Sequence, residues 1–170
     1  NCDWSSDVCS SDLALIDYGA GNLHSVHNAL KRVGAKVSVT ADPKKVGTAD
    51  RVVLPGVGSF KACAQGLKAL PGMIEAMEQR VLRDGVPFLG ICVGMQLLAT
   101  RGLEHGVTQG LGWIDGEVRL IEPADPSIKI PHMGWNDVAL LPHARNHPVL
   151  EEGEAYFLHS YHFARSEEHT

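Results

Sequence analysis

Apolar and polar positions change period repeatedly along the first two-thirds of this chain. Residues 13–17 form a short apolar run ending on Asp17, the pattern of a buried strand. After Gly19-Ala20-Gly21-Asn22, the residues Leu23, Val26, His27 and Leu30 recur at helical spacing until Gly34, predicting a helix over 23–33. Residues 36–40 alternate as a strand. Residues 51–54 form another, closed by Pro55-Gly56-Val57-Gly58. Helical spacing returns over 59–70 and, after Pro71-Gly72, over 73–83. An apolar strand at 86–91 then stops at Cys92, and a helix is expected over 93–101. Alternating strands and helices predict an α/β fold with a doubly wound, mostly parallel sheet. After Gly102 the strand-like segments 113–121, 137–141 and 155–159 follow one another without a helix, predicting an antiparallel extension in the last third.

The 170 residues, 44% of them hydrophobic, suit one domain with a real core, drawn over 13–164. The longest apolar stretch, 86–99, is interrupted by glycine and too short to span a bilayer. The ends read differently. Residues 1–12, rich in Ser and Asp, and 165–170 carry no structural period and resemble translated sequencing adapters, so both are expected to be non-native tails. Without them the formal charge of −5 becomes −1, which favours neither nucleic acid nor membrane as a partner. Cys63 and Cys92 then remain, which makes no disulfide framework and points to a reducing cytoplasm.

Candidate chemistry gathers at three glycine-rich strand ends, after Asp17, after Leu54 and after Ile91. Ligands bind at such carboxyl ends in open α/β sheets. Gly19-x-Gly21 lacks the third glycine of a dinucleotide site, His24 standing there. Gly90-Ile91-Cys92-Val93-Gly94 has the form of a nucleophile elbow with a thiol: a strand turns sharply into a helix, lifting the sulfur above the sheet. Gly56 and Gly58 let backbone N–H groups face a ligand, as an oxyanion hole requires. The histidines show no metal-ligand spacing, and neither a metal nor another cofactor is expected.

Gly90-Ile91-Cys92-Val93-Gly94-Met95-Gln96 resembles the G-x-C-x-G-x-Q elbow of the class I (triad) glutamine amidotransferases, a flavodoxin-like fold. Asp17-Tyr18-Gly19-Ala20-Gly21-Asn22-Leu23, Leu54-Pro55-Gly56-Val57-Gly58, Pro131-His132-Met133-Gly134-Trp135-Asn136 and His159-Ser160-Tyr161 resemble, in order, the strings of the glutaminase subunits of imidazole glycerol phosphate synthase. The resemblance implies hydrolysis of L-glutamine to glutamate and ammonia through a thioester on Cys92. It implies an oxyanion hole from Val93 with Gly56, Val57 and Gly58. It also implies substrate contacts from Gln96, Glu104, His159, Ser160 and Tyr161. Ammonia would pass to a (β/α)8 cyclase subunit in histidine biosynthesis, docked through Asn22, Met133 and Trp135.

On composition alone, Gln96 and Glu104 also fit solvated positions, Met133 and Trp135 core positions, and His132 and His159 packed ones. The family's catalytic His and Glu lie in a late H-P-E string, and no His-x-Glu occurs here. The expectation is a chain incomplete at its C-terminus and inactive as it stands, from an active parent. Two alternatives stay open: a non-catalytic subunit that keeps the cyclase-docking surface, or another cysteine hydrolase on a similar sheet.

Overall fold

The computed structural model of this protein describes residues 12–125 and 127–165. They fall into two compact units, the first running to Val118 and resuming at Phe163, the second covering Arg119–His162.

In the first unit β1 (Asp12–Ile16) leads to α1 (Leu23–Arg32), β2 (Lys36–Thr40), the short α2 (Pro43–Val46) and β3 (Arg51–Leu54). Then come α3 (Phe60–Lys68), α4 (Met73–Met77) with a π-helical turn over Glu78–Arg83, β4 (Phe88–Gly90) and α5 (Val93–Gln96). β1 to β4 form a parallel sheet in the order β2-β1-β3-β4. The parallel pairing is what the alternating pattern predicts, and the strand order is the flavodoxin-like one that the resemblance implies. Leu13, Ala14, Leu15 and Ile16 are all buried. Leu13 and Leu15, with Val53, pack against Leu23, Val26 and Leu30 of α1. Successive side chains alternate in a strand, so Ala14 and Ile16 face the other way and are covered there. α3 buries Phe60, Cys63, Ala64 and Leu67, spaced i, i+3, i+4, i+7 on one helical face.

Several elements differ from the sequence expectation. α5 ends after a single turn instead of reaching residue 101, and Ala99–Gly102 is a strand, β5. Leu97, Leu98 and Ala99 are all buried, and an apolar run this short fits a helix or a strand, so it does not choose between them. Pairing decides: β5 lies between β6 (Thr108–Gln109) and β7 (Ile114–Leu120). The helix over 73–83 widens after Met77, where the Asp84 N–H reaches the Gln79 carbonyl at 3.0 Å, five residues back. The strand placed at 137–141 is β8 (His132–Val138), so the P-H-M-G-W-N string is itself mostly strand. The later sheet is mixed: in β10-β7-β5-β6, where β10 is Tyr161–Arg165, β5 runs antiparallel to β6 and parallel to β7.

The second unit is built on an antiparallel ladder of β8 with β9 (Gly153–His159), in register from His132↔His159 to Val138↔Gly153. The tail expected over 1–12 lies outside the described residues except for Asp12, the first residue of β1. That over 165–170 lies outside except for Arg165, the last residue of β10. No helix among the described residues is long and apolar enough to cross a membrane.

Candidate active site

Cys92 stands between β4 and α5 with φ 55° and ψ −119°. L side chains rarely adopt that backbone, and a strained residue at a strand-helix turn is a recurrent feature of nucleophile elbows. Its thiol is exposed. The glycines around it are there for space. A Cβ on Gly90 would lie 2.7 Å from Met95 Cα, and one on Gly94 would run into the Leu54 carbonyl oxygen. A Cβ on Gly56 would meet the Gly94 nitrogen and stand 2.9 Å from Val93 Cβ. The elbow and the Pro55–Gly58 turn are therefore one packed backbone junction. Val93 is the first residue of α5, so its N–H has no intrahelical partner. The four residues of α5 carry little of a helix dipole, so the donors that can act here are individual peptide groups.

The Pro55–Gly58 turn is fastened from below. The Tyr18 hydroxyl donates to the Pro55 carbonyl at 2.6 Å. The Cys63 thiol, on the buried face of α3, donates to the Val57 carbonyl at 3.4 Å. Burial pushes the Tyr18 phenol far above its ordinary range, with Cys63 adding to the shift. Burial likewise raises the Cys63 thiol. Both groups therefore keep their protons and act as donors. The turn runs into α3, where Ser59 caps the helix by accepting the Ala62 N–H at 3.2 Å. The Phe60 N–H donates to Glu104 Oε2 at 2.7 Å.

The second unit carries its own polar chain. His159 Nδ1 lies 2.9 Å from the Tyr161 carbonyl, an acceptor, so this nitrogen bears the proton. In the neutral ring His159 Nε2 then accepts from His132 Nδ1 at 3.4 Å, and His132 Nε2 accepts from the Asn136 amide at 2.6 Å. His132 stacks on Phe157 with centroids 4.9 Å apart. Met133 and Leu158 form an adjacent cross-strand pair to Trp135 and Tyr156, and all four side chains are exposed, Trp135 at 69%. The Trp135 and Tyr156 rings meet edge to face at 5.6 Å.

The first unit thus holds Cys92, Val93, Gln96, Gly56, Val57, Gly58, Glu104 and Asn22, and the second holds Met133, Trp135, His159 and Ser160 together with Tyr161. Met133 and Trp135 are surface residues, not core. Asn22 caps α1, accepting the Ser25 N–H at 3.2 Å, a local task its place in the sequence string does not reveal. Glu104 has one carboxylate oxygen engaged at the start of α3. Sequence reasoning missed Tyr18 and Cys63 behind the turn. Each reads locally as core, and the fold alone brings them together.

The chain matches the model of the family described as glutamine amidotransferase class-I over residues 14–169. It is 60% identical over 164 residues to the imidazole glycerol phosphate synthase subunit HisH of Zymomonas mobilis, spanning 95% of this chain and 76% of that protein. It is 51% identical to the HisH subunit of Bradyrhizobium diazoefficiens, spanning 92% and 77%. Among solved structures, a glutamine amidotransferase superposes with a TM-score of 0.67 at 16% identity, over 91% of this chain and 75% of that one. A protein from Thermoplasma acidophilum described as a GMP synthase subunit gives 0.57 at 18% identity, over 94% and 69%. These two likenesses show the fold. Family match and close relatives together show that this chain belongs to the class I glutamine amidotransferases, among the HisH subunits of imidazole glycerol phosphate synthase.

Proposed function

We propose that this chain acts on L-glutamine through Cys92 and delivers ammonia to a (β/α)8 cyclase subunit. One observation carries the chemical part: an exposed thiol held at φ 55° in a backbone junction that includes the Pro55–Gly58 turn. The Cys92 sulfur attacks the carboxamide carbon of glutamine. The negative charge that develops on the amide oxygen is stabilised by the Val93 N–H and by N–H groups of the Gly56-Val57-Gly58 turn. The C–N bond breaks, ammonia leaves with a proton, and water hydrolyses the thioester to glutamate, restoring the thiol. In the first unit Gln96 and Glu104 hold the substrate. Glu104 keeps Oε1 for a ligand's ammonium group while Oε2 serves Phe60. No His-x-Glu occurs in the sequence, so the proton transfers are assigned to no residue of this chain.

The apolar face of the β8-β9 hairpin, with Met133 and Trp135, is the second unit's proposed docking surface for the cyclase; in the first unit the proposed contact is Asn22, which fixes the start of α1. Unpaired thiols at Cys63 and Cys92 suit a reducing cytoplasm. The test is labelling by a chloroketone analogue of L-glutamine. A single adduct at Cys92, suppressed by millimolar glutamine, supports the reading. Binding to the cyclase without any Cys92 adduct would leave only a docking subunit.

A further inference from the structure

Three peptide units run through Pro55–Gly58, and two of them are held by side chains from the protein interior. In a trans peptide the C=O and N–H point in opposite directions. Tyr18 takes the Pro55 carbonyl, so the Gly56 N–H is turned away from the phenol. Cys63 takes the Val57 carbonyl, so the Gly58 N–H is turned away from the thiol. The unit between them, from the Gly56 carbonyl to the Val57 N–H, is suspended from both sides. Each fastening group is itself locked. Tyr18 is buried and lies against α3 so closely that a Cβ on Gly66 would stand 2.8 Å from the Tyr18 carbonyl oxygen and 3.1 Å from its ring. Cys63 is fully buried on α3. Both groups are kept protonated by burial, so both remain donors across the physiological range.

We propose that Tyr18 and Cys63 are positioning residues for the oxyanion turn: their hydroxyl and thiol fix the Pro55 and Val57 carbonyls from beneath and so aim the turn's N–H groups beside the elbow. Neither touches substrate. They act through backbone direction, where a misplacement of about 1 Å costs on the order of a hundredfold in rate. This inference rests on the proposed role of Cys92 and its turn. Removing the Tyr18 hydroxyl leaves the buried Pro55 carbonyl without its partner, and removing the Cys63 thiol frees the Val57 carbonyl, so the turn settles into a new direction instead of keeping the old one.

The experiment compares two electrophiles at Cys92, read by mass spectrometry on the Cys92 peptide of the whole chain. The chloroketone analogue of glutamine binds first, its ketone oxygen on the turn's N–H groups, and the Cys92 sulfur then displaces chloride from the neighbouring carbon, so its rate needs the turn. Iodoacetamide loses iodide to the sulfur in a direct encounter with no seated ketone, and so does not. Tyr18→Phe keeps the ring and loses only the hydroxyl. It is expected to slow chloroketone labelling at least about tenfold while iodoacetamide labelling changes less than about twofold. Cys63→Ala is expected to behave alike, and Cys63→Ser, which keeps a donor, to recover most of the loss. Chloroketone rates equal to wild type in Tyr18→Phe and Cys63→Ala would overturn the inference. So would an equal slowing with both reagents, the sign of a general packing defect. Iodoacetamide labelling of Cys63 in Tyr18→Phe checks that the core stays closed. A wild-type chain that iodoacetamide labels at Cys92 but the chloroketone does not would overturn the proposed function itself, and this inference with it.

Discussion

A cysteine at φ 55° holds its backbone against a cost of order 1–3 kcal/mol. Cys92→Gly is therefore expected to raise the unfolding free energy by about 1 kcal/mol, read from a urea midpoint, while abolishing adduct formation by the glutamine chloroketone. A lower midpoint would mean that the thiol packs more than it strains. Beneath the turn, Tyr18 and Cys63 have raised proton affinities in the folded state, so the sign of their pH linkage is fixed. Their contribution is fully present below the ordinary thiol range near 8.5 and is lost as pH rises from there. Stability is expected to fall between pH 8 and about 10, as the unfolded chain releases protons that the folded chain retains. Urea midpoints across that range should show a flatter fall for Cys63→Ala than for the wild type. At this scale Cys92 is legible in sequence because its glycines sit at fixed spacing on either side. Tyr18 and Cys63 are not, because a buried phenol and thiol look like core until the carbonyls they hold are known.

The elements follow from period and caps where those signals are local. Ser59 starts α3 and Asn22 starts α1, each by accepting a backbone N–H three residues on. Ser59→Ala is expected to cost about 1 kcal/mol in chemical denaturation. Combined with Glu104→Ala it should cost less than the sum of the two, since both side chains serve the first turn of one helix. Gly94→Ala tests the junction: its methyl group would enter the Leu54 carbonyl. A loss of about 1–3 kcal/mol is expected, with chloroketone labelling falling together with stability. The boundary of α5 was not legible. Leu97-Leu98-Ala99 fits a helix or a strand equally, and the partners of β5, at Thr108–Gln109 and Ile114–Leu120, lie further along the chain. The π-helical widening at Glu78–Arg83 has no local signal that separates it from an ordinary helix.

For the whole molecule, the family is fixed by the class I amidotransferase match and by relatives named as synthase subunits. The exposed face of the β8-β9 hairpin is where a partner subunit is proposed to meet it. Trp135→Ala is expected to weaken cyclase binding by about thirtyfold or more by calorimetry, as buried interface tryptophans do. The same substitution should cost little stability in the free chain, because its ring is mostly in solvent. By itself the sequence determined the parallel winding of β1 to β4, because unbroken apolar runs alternating with helical stripes can be buried only in a covered α/β sheet. It also determined Cys92 as the centre of the chemistry, because the elbow's requirements are contiguous: a strand, a tight turn and room for close backbone approach. Only the tertiary structure decided that the Gly56 turn lies against Gly94, that Tyr18 and Cys63 fasten that turn, and that Met133 and Trp135 face outward. The Gly56–Gly94 and Tyr18–Pro55 relations join residues tens of positions apart, the Cys63–Val57 bond depends on how the turn folds back over α3, and the outward faces depend on which side of a strand meets solvent; local spacing carries no record of these.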